Sequence, residues 1–147
     1  MVKELDIPPL WLALALGLAW GLAQVISLAP LPFAGLCLVG LGLGLMAVAL
    51  AQMWVARTSF IPRRVPAALV TGGVFRLSRN PIYLADLIVL SGAILAWGAV
   101  LAWPLVPLFA IWITRRYILA EEAALQAGFG EAFRVWSAAT PRWIGWL

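Results

Sequence analysis

The sequence predicts an all-α fold, an integral membrane helical bundle of four transmembrane helices with a C-terminal hairpin and a cytoplasmic amphipathic tail. Three observations predict it. Of 147 residues, 65% are hydrophobic and 11% are charged, with a mean hydropathy of +1.02; a soluble domain is about half apolar and about a quarter charged. Charge-free runs long enough for spans of ~20 residues recur along the chain. Nine of the ten Lys and Arg residues fall in two segments, 57–80 and beyond Thr114, as expected if both lie on one membrane face.

The first residues, MVKELDIPPLW, do not read as a signal peptide, because acids sit beside the single Lys and no small-residue cleavage site follows. The expected spans are 10–28, 33–55, 79–97 and 100–121, in one membrane domain covering 1–147. Pro8 and Pro9 stand just before the first span, where a helix start tolerates proline. Ala29-Pro30-Leu31-Pro32 separates the first span from the second. Gly17 and Gly21 in the first, and Gly40 and Gly44 in the second, have small-xxx-small spacing, which predicts close packing of these two helices. Segment 57–78 reads as an irregular cytoplasmic loop, with five Arg and no acid between Arg57 and Asn80.

The charge-free region from Leu87 to Thr114 is too long for one span and too short for two, which need ~40 residues. Trp97-Gly98 and Trp103-Pro104 suggest a turn in its middle. Both helices of the resulting hairpin must then borrow polar neighbours, the third starting near Arg79 and the fourth running to about Glu121. An even number of spans puts both termini and all the basic segments on the cytoplasmic side. The tail, 122–147, places Leu125, Phe129, Phe133 and Trp136 on one helical face. Gly128 and Gly130 should bend it, Pro141 should end it, and Trp143 and Trp146 are placed to anchor it at the headgroups. An amphipathic helix lying on the membrane accounts equally well for that face.

Chemistry is constrained by what the chain lacks. There is no His and only one Cys, which removes the commonest metal ligand, the commonest general base and any disulfide framework; no metal site is expected. Cys37 lies in an apolar run and reads as a small lipid- or helix-facing residue. Nucleic acid is not an expected partner, since the basic residues flank spans. The polar island Thr71–Tyr83, TGGVFRLSRNPIY, is the feature around which a site can be built. Centring the hairpin turn near Ala99 sets Tyr83 opposite Arg115, Ile82 opposite Arg116 and Leu77 opposite Glu121, to within about one helical turn. The Arg-Asn-Pro-Ile-Tyr segment, Arg115–Arg116 and Glu121–Glu122 then cluster at one depth. Taken singly, the Arg pair could snorkel to headgroups, the Glu pair could be a solvated face, and Asp86 could pair with an Arg for structure alone. Together, at a membrane boundary, they mark a function.

LVTGGVFRLSRNPIYLA, then EEAALQAGFGEAFRVW, then PRW resemble the isoprenylcysteine carboxyl methyltransferase and phospholipid methyltransferase family of integral membrane enzymes. Members typically read TxGPYxxxRxPxY, then EExxLxxxFGxxYxxY, then a late Arg. The resemblance covers about Leu69 to Trp143. It implies S-adenosylmethionine as methyl donor, bound on the cytoplasmic side by the C-terminal part, with substrate entering from lipid. It carries cofactor binding to Gly73, Arg79, Asn80, Pro81, Tyr83 and Glu122, and catalysis to Arg116 and Glu121; Arg142 matches the late Arg. The chain departs from the pattern at Asn80, where many members have His, at Val74-Phe75 for Pro-Tyr, and at Phe133 and Trp136 for two tyrosines.

Methyl transfer from a sulfonium is an in-line displacement whose main demand is alignment in a dry site. A carboxylate or thiolate nucleophile needs a positive partner, for which Arg116 is the candidate. A protonated amine must first lose a proton, and Glu121 is the acceptor, assisted by Glu122 or Asp86. The near absence of Lys beside abundant Ala, Gly, Pro and Arg suggests a GC-rich bacterial-type genome, which favours a membrane lipid or small apolar substrate over a prenylated protein. The expected location is the cell inner membrane or another cytoplasm-facing membrane. The rival readings are a small four-helix transporter or channel subunit, with Asp86 as its key residue, and a catalytically idle family member.

Overall fold

A computed structural model describes residues 7–58 and 66–145. Arg63, Arg64 and Trp146 lie outside the described residues. Within them the chain is all helical, with no strand. Helix α1 spans Pro8–Val25, α2 Pro32–Val55, α3 Pro81–Trp97, α4 Leu105–Ile113 and α5 Leu119–Ala139. Short 3-10 turns occupy Gly73–Arg76 and Val100–Ala102, and a π-helical segment, Thr114–Ile118, joins α4 to α5. Proline opens α1, α2 and α3; its fixed φ suits the first helical position and its missing N–H is not needed there. Both α1 and α2 are long and apolar enough to cross a membrane. They are not core helices of a soluble fold: only 11% and 17% of their apolar windows are buried, and Leu14, Leu18, Trp20, Phe33, Leu36 and Trp54 are exposed.

The fold divides into two compact units, Met1–Leu43 with Ala85–Ile113 and Gly44–Leu84 with Thr114–Leu147. In the first, α1 packs on α4 and on the 3-10 turn Val100–Ala102, with the Trp11 and Trp112 rings 4.8 Å apart. The first part of α2 packs on α3 backbone to backbone. A Cβ on Gly92 would lie 2.7 Å from the Gly35 carbonyl oxygen and 2.8 Å from the Val39 nitrogen, and one on Gly42 would lie 2.9 Å from the Ala85 carbonyl oxygen. The expected pairing through Gly17, Gly21, Gly40 and Gly44 is not what the structure uses, since a Cβ on any of these four meets nothing within 4 Å. The spacing is right for close approach, but those glycines face outward, and the contact belongs to Gly35, Gly42 and Gly92. The connection after α1 caps the far end of α3: Ser27 Oγ donates to the Trp97 carbonyl at 2.7 Å, Leu28 N to that of Gly98 at 2.9 Å and Leu31 N to that of Leu95 at 3.0 Å. Asp86, 3% exposed, is buried on α3 in this unit.

The second unit has its core around Ala49, Phe75, Phe133 and Trp136, with Met53, Ile82, Leu125 and Phe129 packed against them. The tail face Leu125–Phe129–Phe133–Trp136 is therefore spent on protein packing, not on headgroups. Gly130, at φ 49 and ψ −115, breaks α5 into two arms, the left-handed φ being one that glycine adopts without steric cost. The break turns the second arm so that Phe133 and Trp136 reach the same cluster as Leu125. Trp136 Nε1 then donates to the Phe75 carbonyl at 3.2 Å in a buried bond.

Candidate active site

The second unit collects the polar groups. α2 ends at Val55, and the chain returns through the turn Gly73–Arg76 to the start of α3. Gly73 has φ 56, and a Cβ there would fall on the side-chain amide of Gln52. The same amide, through Oε1, accepts the Val74 N–H at 3.2 Å.

Residues 78–80 are tied to the tail. Arg79 N donates to the Pro141 carbonyl at 2.9 Å. The Arg142 carbonyl accepts from Ser78 Oγ at 3.0 Å and from Asn80 Nδ2 at 3.1 Å. Ser78, fully buried, also accepts the Asn80 N–H at 3.1 Å. The amide of Asn80 thus serves as a clip to the chain's own tail. Pro81, also fully buried, starts α3 directly after it.

Two carboxylates from the first turn of α5 meet this loop. Glu122 takes the Arg142 guanidinium in a two-point contact, Nε to Oε1 at 3.0 Å and Nη2 to Oε2 at 2.7 Å, and Arg79 Nη2 lies 3.4 Å from Oε1. The hydrogen bond to Glu122 holds Arg142 above its ordinary pKa, against a smaller opposing effect of burial. Two cations share one carboxylate, and among the described residues Arg79 Nε is buried without a hydrogen-bond partner. Glu121 accepts the Tyr83 hydroxyl at Oε1, 2.8 Å away. The Tyr83 ring lies 6.3 Å from that of Tyr117, which is wholly buried.

Of the residues singled out from sequence, Arg79, Asn80, Pro81, Tyr83, Glu121 and Glu122 stand together in this unit. Gly73 lies at the near end of the same loop, held through Gln52. Arg116 is exposed on the π segment, next to Tyr117. Such wide turns are frequent at functional sites. Sequence reasoning missed Gln52, Ser78, Tyr117 and the π segment. Gln52 carried a legible signal, being the only amide or charged side chain in α2. Ser78 carried a weaker one, as a small hydroxyl between Arg76 and Arg79 in the polar island.

No curated protein and no solved structure matches the chain. The family described as phospholipid methyltransferase matches residues 31–132. That stretch runs from the start of α2 into the second arm of α5, and it includes Gly73, Arg79–Tyr83, Arg116 and the Glu121–Glu122 pair, while Arg142 lies beyond it. With well over half of its length matched, and with the motif residues meeting in one unit, the chain belongs to the phospholipid methyltransferase family, whose common chemistry is methyl transfer.

Proposed function

We propose that this protein is an integral membrane methyltransferase that takes its methyl group from S-adenosylmethionine. The acceptor is a lipid-like or small apolar substrate, a carboxylate, thiol or amine, at the cytoplasmic membrane face. The observation that carries this reading is the contact network Arg79–Glu122–Arg142 with Tyr83–Glu121. It joins three separate motif segments in one small volume.

In this reading four helical passes cross the cell inner membrane or another cytoplasm-facing membrane: α1, α2, α3, and the continuous helical run that starts with α4 and continues through the π segment into α5. Both termini and the Arg-bearing segments then lie in the cytoplasm. The exposed Leu, Phe and Trp side chains of α1 and α2 support it, because an apolar surface of that extent in water would drive association, whereas lipid covers it.

The donor set fits the cofactor. S-adenosylmethionine carries a carboxylate, an ammonium, ribose hydroxyls and a positively charged sulfur, and it supplies a methyl group on that sulfur. Arg79 has a buried donor without a partner, suited to a carboxylate. Glu122 offers acceptor oxygens to an ammonium or a diol, and Gly73 allows close backbone approach. Tyr83 fixes the Glu121 carboxylate by its hydroxyl. With an amine substrate, Glu121 accepts the proton that frees the nitrogen lone pair. With a carboxylate or thiolate, Arg116 supplies the opposing charge and no proton moves. The buried rings of Tyr83 and Tyr117 keep water from one side of the Glu121 carboxylate, which strengthens these charge interactions.

The test is methyl transfer from labelled cofactor into a total lipid extract, with calorimetry of S-adenosylhomocysteine on detergent-purified protein. Micromolar binding with labelled lipid product is expected. Glu121→Gln and Arg116→Ala should abolish turnover with cofactor binding retained; normal methylation by both would overturn the site assignment. Absence of binding would leave the transporter or idle-member readings.

A further inference from the structure

We infer that Gln52 is a positioning residue for the glycine turn that opens the proposed cofactor segment. The inference rests on the methyltransferase reading above. Gln52 sits in the last turn of α2, otherwise without amide or charged side chains. An amide in such a place is costly unless it is hydrogen-bonded. Its Oε1 accepts the Val74 N–H at 3.2 Å, and its Nε2 fills the space a side chain on Gly73 would take. Gly73 at φ 56 and Gln52 are therefore mutually required: the turn admits the amide only because position 73 has no Cβ, and the amide holds the turn only because Val74 presents its N–H.

The turn has two further fixings. The Phe75 ring packs with Ala49, which precedes Gln52 by about one helical turn, and the Phe75 carbonyl accepts Trp136 Nε1 at 3.2 Å. Inside the turn, Phe75 N donates to the Gly72 carbonyl and Leu77 N to that of Val74, both at 3.1 Å. Ser78, Arg79 and Asn80 follow at once. The direction in which they leave the turn is set where Gln52 grips it. Gln52 is placed to touch the turn backbone and to act through it, so its loss should weaken cofactor binding while leaving the rate at saturation nearly unchanged.

Gln52→Leu keeps the size and removes the acceptor; Gln52→Glu keeps an acceptor oxygen. Each is compared with wild type by calorimetry of S-adenosylhomocysteine, by kcat and KM for the cofactor, by thermal unfolding and by hydrogen–deuterium exchange over residues 71–76. Losing one bond and leaving its donor unsatisfied is expected to weaken binding roughly tenfold in Gln52→Leu, with faster exchange in that peptide, a raised KM and kcat within about twofold. Gln52→Glu should restore exchange and affinity to near wild type. If Gln52→Leu does not fold, Gln52→Asn, one methylene short of reaching Val74, takes its place. Wild-type affinity and exchange in the variant would overturn the inference while leaving the methyltransferase reading intact, and so would a lowered kcat with KM unchanged that tracks loss of folded protein. No binding by wild type would overturn that reading and the inference with it.

Discussion

The carboxylate of Glu122 and the guanidinium of Arg142 meet edge to edge, with contacts of 3.0 and 2.7 Å. The backbone carbonyl of the same Arg142 receives Ser78 and Asn80. One tail residue therefore fastens the start of α5 and the entry to α3 from its two ends. The planar fork of arginine suits this role, since it matches both carboxylate oxygens at once.

Arg142→Lys keeps the charge and loses the fork. It should lower stability by about 1 kcal/mol, a modest figure because the Arg142 side chain is 33% exposed. Cofactor affinity should fall more than stability suggests, since Glu122 is then free to turn toward Arg79. Thermal unfolding in detergent and calorimetry measure the two effects, and a variant that binds like wild type would detach Arg142 from the site.

Tyr83→Phe removes one oxygen from a residue that is 7% exposed and leaves the ring packing against Tyr117 in place. With the 2.8 Å bond to Glu121 gone, the carboxylate loses one of its fixings. Turnover should drop roughly tenfold with little change in unfolding temperature. A loss of cofactor affinity with kcat unchanged would instead assign Tyr83 to cofactor binding.

Gly73→Ala forces a Cβ onto the Gln52 amide at a left-handed φ of 56. A cost of about 2 kcal/mol or more is expected. Shortening the neighbour in Gly73→Ala/Gln52→Ala should recover the collision part and not the backbone part. Recovery to wild-type stability would show that the φ carries no strain.

Gly92→Ala should be strongly destabilising, because its new methyl meets backbone atoms of Gly35 and Val39, which cannot swing aside. Gly40→Ala and Gly44→Ala should be neutral or gain up to ~1 kcal/mol, since their surroundings are open and alanine is the better helix former. Thermal unfolding of the three variants decides it; equal losses at all three would place α2 the other way round.

The glycines also show where sequence reading stops. Helices α1 and α2 are apolar on every side, so periodicity cannot say which face meets protein, and the GxxxG spacing at Gly40–Gly44 drew the contact to the wrong face. The hairpin arithmetic did better. The Tyr83–Tyr117 ring pair has its midpoint at residue 100, one from the predicted centre at Ala99. The polar partner is displaced, since the Tyr83 hydroxyl reaches Glu121 where Arg115 was expected opposite it. The π segment Thr114–Ile118 widens one turn and shifts the helical phase beyond it, a change that no residue pattern announces. Arg79 and the Glu pair stood out in the sequence because charged side chains are few in so apolar a chain, and Asn80 stood out through its place in the polar island. Ser78 and Gln52 left only the signal of their residue type, because their parts are played through hydrogen bonds that depend on where the backbone runs.

In the proposed four-pass reading, the cap on α3 bears on bilayer thickness. Seventeen residues make a helix of about 25 Å, shorter than the ~30 Å hydrocarbon layer. A short helix with bare terminal carbonyls would have to thin the membrane or draw water down to its end. Here the Leu95, Trp97 and Gly98 carbonyls are already taken by Leu31, Ser27 and Leu28. In that reading the end of α3 can stop below the headgroups without hydration, and hydrophobic mismatch would be absorbed inside the protein instead of by the surrounding lipid.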